Sequence, residues 1–358
     1  MAKVLLNLLG AGSEQLSGIG MYSASIYAAL LSRRRHDYVL LTSWKPEWLE
    51  RHLPLDGVPV IRGRATPSEK LQYWFETSQV GVAAARHKID TVFTPWPLAP
   101  IAGGRKRILV LHDLYRRTHP ELHSWHHLLG WNLYFPASVA ASSQVVCVSD
   151  ATANEFRRHY PGAAGKAVTV REASTIRATP GPDRPMTGRY GLCVSSNMAT
   201  KNLPRLIEAA ELLRQRGIDA PIVWIGKDSG DAVRQSLARF PLLKNFVLPG
   251  RVDEQQLATW YAHADFYVAP SLTEGFCLPV VEAQKFGVPV ACSDIEVLRE
   301  VAGQGARFFD PLDPAAIADT IAAVTTDRAE HARLSGQAHA NAARFIWDKA
   351  AEELERLF

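Results

Sequence analysis

Short apolar runs rich in β-branched residues alternate along this chain with segments of helical periodicity, and no other feature constrains its fold as strongly. Residues 4–9 precede a helical stretch at 22–31; runs at 39–42, 91–94, 108–111 and 145–148 follow, the last leading into a helical segment at 151–159. Strands that are apolar on both faces and joined by helical crossovers specify parallel sheets covered on each side. The pattern stops between residues 171 and 190, where residues 178–185 hold three prolines and a glycine, which reads as an interdomain connection. A second series then begins: strands at 191–195, 222–225, 246–248, 266–269 and 288–291, with helices at 203–216, 254–262 and 278–286.

The expected fold class is therefore α/β, two doubly wound parallel-sheet domains. Their expected bounds are 1–175 and 190–340, with an amphipathic helix in 341–358 packing back on the first domain. Ligands of open parallel sheets bind beyond the carboxyl ends of the strands, so the cleft between two such domains is the expected site.

Composition narrows the function. Forty Lys and Arg against 36 Asp and Glu leave a net charge of +4, too little for a nucleic-acid-binding face, although basic clusters occur at 33–35, 105–107, 116–117 and 157–158. These offer a weak attraction to anionic lipid or phosphate. Cys147, Cys193, Cys277 and Cys292 lack metal or disulfide spacing and suit a reducing cytoplasm. No apolar run reaches the roughly 18–20 residues of a membrane span, so membrane contact is expected to be peripheral, at the inner face.

The glycine-rich turn at residues 10–15 has Gln15 where a dinucleotide fold needs a third small residue, and no acidic residue ends the second strand. The Gly226-Lys227-Asp228 segment is not a Walker loop. An Asp-x-Asp pair is absent, which argues against a carboxylate-held metal at a diphosphate. The densest chemical signal is residues 270–283. A strand ends, a turn at Gly275 exposes backbone amides, and Pro279 opens a helix whose N-terminal N–H groups suit a diphosphate. Glu282 can offer two carboxylate oxygens to a vicinal diol, and Glu274 can do the same for sugar hydroxyls.

This E-x7-E segment resembles the signature of family 4 retaining glycosyltransferases of GT-B fold, of the bacterial mannosyltransferase-like kind. Residues 18–22 (Gly-Ile-Gly-Met-Tyr) look like that family's N-terminal glycine loop. The 110–114 segment with His112-Asp113, followed by His119-Pro120-Glu121, is similar to its His-Asp segment, and residues 146–152, 200–203 and 287–290 keep its order and spacing. The resemblance implies that Lys201 binds the donor diphosphate and Glu282 the nucleotide ribose. Glu274 and the Gly275, Phe276, Cys277 and Leu278 backbone would hold the donor sugar and phosphates. His112 would stand beside the sugar, and Gly20 would let its loop approach the reaction centre. It implies a nucleotide-sugar donor, GDP-sugar before UDP-sugar and mannose before other hexoses, with no cofactor and no metal, and a glycan or lipid-linked acceptor. A sugar-nucleotide epimerase and a degenerate, non-catalytic nucleotide-sugar binder are the alternatives. Two departures stand out. Ser196 occupies a position where many members have Arg, leaving a Ser or Asn donor or Arg251 to meet a phosphate, and Cys277 replaces the usual third glycine, which is tolerable if its φ stays negative.

Overall fold

The computed structural model describes residues 1–9, 18–64, 69–226 and 231–358, without the side chains of 69–72, 126–127 and 231–232. The 10–15 turn lies outside them, as does Lys227-Asp228. The chain divides into two compact units, one formed by residues 1–172 and 346–358, the other by 173–345.

The first unit contains strands β1 (Lys3–Leu8), β2 (Asp37–Thr42), β3 (Val60–Arg62), β4 (Thr91–Thr94), β5 (Lys106–Leu111), β6 (Gln144–Cys147) and β7 (Ala167–Thr169), in the sheet order β3-β2-β1-β4-β5-β6-β7. Its helices are α1 (Gly18–Arg33), α2 (Pro46–His52), α3 (Glu69–His87), α4 (Tyr115–Thr118), α5 (Trp125–Ala141) and α6 (Asp150–His159). Every ladder is parallel, with Leu5 opposite Val39 and Val92, and Val110 opposite Val146. Leu5, Val39 and Val92 join the α3 residues Val80 and Ala84 in one core cluster, while Leu109, Leu111 and Cys147 join Trp131 and Phe135 of α5 in another. Ser149 caps α6 by accepting from the Thr152 N–H at 3.0 Å.

The second unit runs β8 (Gly191–Val194), α7 (Leu203–Gln215), β9 (Ile222–Ile225), α8 (Asp231–Ala238), β10 (Phe246–Gly250), α9 (Glu254–His263), β11 (Phe266–Ala269), α10 (Leu278–Lys285), β12 (Val290–Ser293), α11 (Glu296–Ala302), β13 (Ala306–Phe309), α12 (Pro314–Thr326) and α13 (Arg328–Ala342). Its sheet, again parallel, has the order β10-β9-β8-β11-β12-β13. Asp253 and Gln256 form a capping box on α9, which starts that helix where the sequence pattern places it. Gly287, at φ +73°, closes α10 in a left-handed conformation, and any Cβ there would collide with the His339 ring. The proline-rich segment of 178–185 lies on α9: Arg177 and Ala178 donate to Glu254 at 2.6 and 3.1 Å, and Gly181 donates to Thr259 at 2.8 Å.

The last helix, α14 (Trp347–Glu355), belongs to the first unit. Arg33 reaches Asp348 at 2.7 Å and Glu355 at 2.9 Å, and the Phe358 carbonyl accepts from Thr91 and Lys106.

In both sheets the strand order reverses once, between β1 and β4 in the first unit and between β8 and β11 in the second. Loops leaving the carboxyl ends of such a pair run to opposite faces and open a crevice.

Candidate active site

Lys201 and Glu274 enter from the two loops that flank the second unit's reversal point. The loop after β8 ends in a turn at Ala199–Lys201, and the loop after β11 carries residues 270–277 into α10. Backbone and side chains stitch the two together. Leu272 donates its N–H to the Thr200 carbonyl at 2.7 Å, and the Asn202 amide donates to the Pro270 and Pro311 carbonyls at 3.0 and 2.7 Å. Asn202 sits at φ +57°, which Asn tolerates better than most side chains. Lys201 Nζ then lies 2.6 Å from Glu274 Oε1, which also accepts from Ser271 Oγ at 2.7 Å. A cation and a carboxylate, both partly buried, are thus paired beside a helix N-terminus.

Glu282, on the second turn of α10, is buried. Thr175 Oγ1 donates to its Oε1 at 2.7 Å and Tyr261 Oη to its Oε2 at 3.0 Å, so each carboxylate oxygen already holds one protein donor. The Thr175 backbone N–H bonds the same carboxylate, so the protein holds it through three donors. Burial raises the Glu282 carboxyl above the usual carboxylate range against the pull of those hydrogen bonds, and burial with the Glu282 charge raises the Tyr261 phenol.

Cys277 departs from expectation. Its backbone stands at φ +74°, left-handed, not at the negative φ on which its tolerance was argued. It is the N-cap of α10, where the chain turns sharply out of the 270–276 loop, and a glycine would meet that turn without strain. Its buried thiol is raised by burial and then by Glu274, which suits a packed side chain and not a nucleophile. Phe276 is buried edge-on against Phe345 at 5.4 Å, so of the four loop residues it contributes packing, while Gly275 and Leu278 are partly exposed. Ser196 is exposed on the same loop as Lys201. Arg251 follows β10, two strands or about 10 Å along the sheet from β8.

In the first unit His112 directly follows β5. Its Nε2 lies 2.9 Å from the Pro95 carbonyl and its Nδ1 3.0 Å from Glu172 Oε1. Tyr22 packs edge-on against the ring, centroids 4.8 Å apart at 87°. Burial opposes a charged imidazole, but the Glu172 hydrogen bond and charge, the Pro95 carbonyl and Asp113 outweigh it and hold His112 above its ordinary range. Asp113 itself accepts from the Tyr115 N–H at 3.0 Å. The neighbour in sequence is therefore not the partner that orients the ring; Glu172, 60 residues away, is. Gly20 stands buried in the first turn of α1, inside a helix and not in a loop. The residues missed from sequence are Glu172, Thr175, Tyr261 and Asn202. Only Asn202 had a signal, its adjacency to Lys201 at a helix start.

The family description Glycosyltransferase Family 4 matches residues 17–171, and Glycosyl transferases group 1 matches residues 180–340. Among curated relatives, the O-antigen chain mannosyltransferase B of Escherichia coli is 26% identical over 271 residues, 69% of this chain and 68% of that protein. The phosphatidyl-myo-inositol mannosyltransferase of Mycobacterium tuberculosis is 28% identical over 165 residues, and there the chain spans only 43% of its relative. Among solved structures, sucrose-phosphate synthase of Thermosynechococcus elongatus superposes with a TM-score of 0.77 at 18% identity, covering 100% of this chain and 98% of that one. Anabaena HepE in complex with UDP-glucose does so with 0.73 at 18%, covering 100% of both. At these identities the structural likeness is one of fold. With both units matched in order, the chain belongs to the family 4 glycosyltransferases and has their GT-B fold.

Proposed function

We propose that this protein transfers a hexose, mannose before others, from a nucleotide-diphosphate sugar to a hydroxyl of a glycan or lipid-linked acceptor, with retention at the anomeric carbon. The observation that carries the reading is the Lys201–Glu274 pair at the second unit's reversal point. As the bond between the anomeric carbon and the phosphate oxygen breaks, negative charge grows on the diphosphate. A lysine and the amides of a helix N-terminus aimed there favour that state over the ground state. Lys201 exchanges Glu274 for phosphate, and Glu274 turns to the sugar hydroxyls. Glu282 takes the ribose, and no divalent metal is required because Lys201 and the α10 amides supply the positive charge. A double displacement needs a second carboxylate flanking the sugar. None is assigned here, so the acceptor oxygen attacks on the face the phosphate leaves, and its proton passes to the leaving phosphate oxygen. The names of the mannosyltransferase relatives support mannose as the sugar, and the family resemblance puts GDP before UDP.

Helix α5 supports an acceptor at an anionic membrane surface, the setting of polysaccharide assembly. Its 17 residues include no Asp, Glu, Lys or Arg, and Trp125, Leu129 and Leu133, spaced four apart, are 65%, 53% and 60% exposed. Arg116 lies over Trp131, the seventh residue of the helix, at 5.2 Å, and Lys166 caps the Val139, Ala140 and Ser142 carbonyls at its C-terminal end. An apolar stripe with cations beside the same helix suits the interface of an anionic bilayer. No helix among the described residues is long and apolar enough to cross one.

The test is calorimetric titration with GDP, UDP, ADP and dTDP without metal, on the parent and on Lys201→Ala and Glu282→Ala. Binding of one nucleotide that both changes abolish supports the reading and names the donor class; binding of none overturns it. A nucleotide sugar converted to its epimer without gain of a glycosidic bond would mark an epimerase.

A further inference from the structure

Pro95 offers His112 only a carbonyl oxygen, which accepts and never donates. The 2.9 Å contact therefore places a hydrogen on Nε2. If the ring were neutral, Nδ1 would then turn a lone pair on Glu172 Oε1 at 3.0 Å, which holds only with a proton between the two atoms. We infer that Glu172 is a positioning residue of the first unit, holding His112 as an imidazolium whose two N–H groups are both committed within the protein. The inference rests on the transferase reading for its catalytic consequence, and for the ion pair on the two ring contacts together with the upward shift of His112.

The surroundings fit. The groups facing the ring are Glu172 from the chain after β7, the Pro95 carbonyl from the loop after β4, Tyr22 from α1 and Asp113 beside it on the chain. No positive side chain is among them. Among the described residues the buried Tyr22 hydroxyl has no hydrogen-bond partner, so it takes no proton from the pair. An imidazole in this state has no lone pair with which to accept a proton from an acceptor hydroxyl. His112 consequently serves as a fixed positive charge, not as a general base, and Glu172 keeps it charged at neutral pH. A carboxamide in place of Glu172 keeps the shape and removes the negative charge, so the ring loses the reason to stay protonated.

Nitrogen-15 NMR of histidine-labelled full-length protein reads the state of the ring directly. In the parent, His112 is expected to show both nitrogens protonated at pH 7.5, and Glu172→Gln to show one, with its titration moved down by more than about one pH unit. Steady-state transfer from GDP-mannose is expected to lose about tenfold or more in kcat in Glu172→Gln with the donor KM little changed, and Glu172→Asp to recover part of it. A singly protonated His112 in the parent at pH 7.5 overturns the inference, as does a Glu172→Gln variant with unchanged kcat. Should Glu172→Gln not fold, the parent spectrum and Glu172→Asp decide. A parent that transfers no sugar but shows the doubly protonated ring defeats the transferase reading and leaves the ion pair standing.

Discussion

Lys201 and Glu274, 73 residues apart, meet at 2.6 Å, so the cation assigned to the donor's diphosphate and the carboxylate assigned to its sugar neutralise one another. A diphosphate at Lys201 would compete with Glu274 for the ammonium. Removing the carboxylate takes one partner from the lysine, whereas removing the lysine takes a cation from the phosphates. Glu274→Gln is expected to keep or tighten nucleotide binding while transfer slows. Lys201→Ala is expected to weaken both. A charge-assisted hydrogen bond of about 1.5–3 kcal/mol corresponds to roughly ten- to a hundredfold in either quantity. Titration calorimetry beside steady-state rates separates the two effects, and a Glu274→Gln variant that loses nucleotide affinity contradicts the assignment.

Glu76 of α3 is buried at the first unit's reversal point, where Asn7 Nδ2 and Trp96 Nε1 donate to its Oε1 at 2.6 and 3.1 Å. Burial pushes its carboxyl up to about 7, against those two hydrogen bonds. An acid raised in the folded state binds more protons folded than unfolded, so its contribution is fully present below the ordinary range near 4.5 and is lost as pH rises through about 7. Chemical denaturation of the parent should therefore show stability falling across that window, by up to roughly 3 kcal/mol from this group. Glu76→Gln keeps the acceptor and should flatten the slope, ending more stable than the parent at pH 8. A slope unchanged in Glu76→Gln would place the titration elsewhere.

Thr175→Val deletes one of the two side-chain donors to buried Glu282 without changing the side chain's shape. Losing a hydrogen bond to a buried charged acceptor costs about 1–3 kcal/mol. The expected result is a lowered Tm together with a Glu282 carboxyl raised further, so that nucleotide binding falls off more steeply towards acid than in the parent. Binding measured from pH 5 to 8 checks this.

At Cys277 the left-handed backbone decides which replacements fold. Glycine relieves strain of about 1–2 kcal/mol but adds chain entropy and loses a buried side chain, terms of similar size and opposite sign, so Cys277→Gly should stay within about 1 kcal/mol of the parent. Valine, branched at Cβ, suits that φ worst and should cost about 2 kcal/mol or more. Thermal melting of the two variants should rank them in that order; a valine variant as stable as the glycine one would contradict the strain.

The two α/β series and the 270–283 segment were legible in the sequence because strand alternation, helix starts and turns are written in runs of neighbouring residues. Asp253 with Gln256 and Ser149 with Thr152 are such local signals, and both appear as helix caps. β3 and β7, three residues each, are too short to show a period and exist because β2 and β6 offer an unpaired edge. The partners that give the site its charge state come from far along the chain. Glu172 stands 60 residues from His112, Thr175 stands 107 from Glu282, and Lys201 stands 73 from Glu274. No periodicity encodes such pairs, since each depends on which strand ends the sheet order brings side by side. The sign of φ at Cys277 belongs with them, because the path from β11 into α10 imposes it on whatever residue stands there. Local sequence thus determined the elements and the loops that carry the chemistry. Tertiary packing decided which charges meet in those loops, because burial and proximity exist only once the sheets have formed.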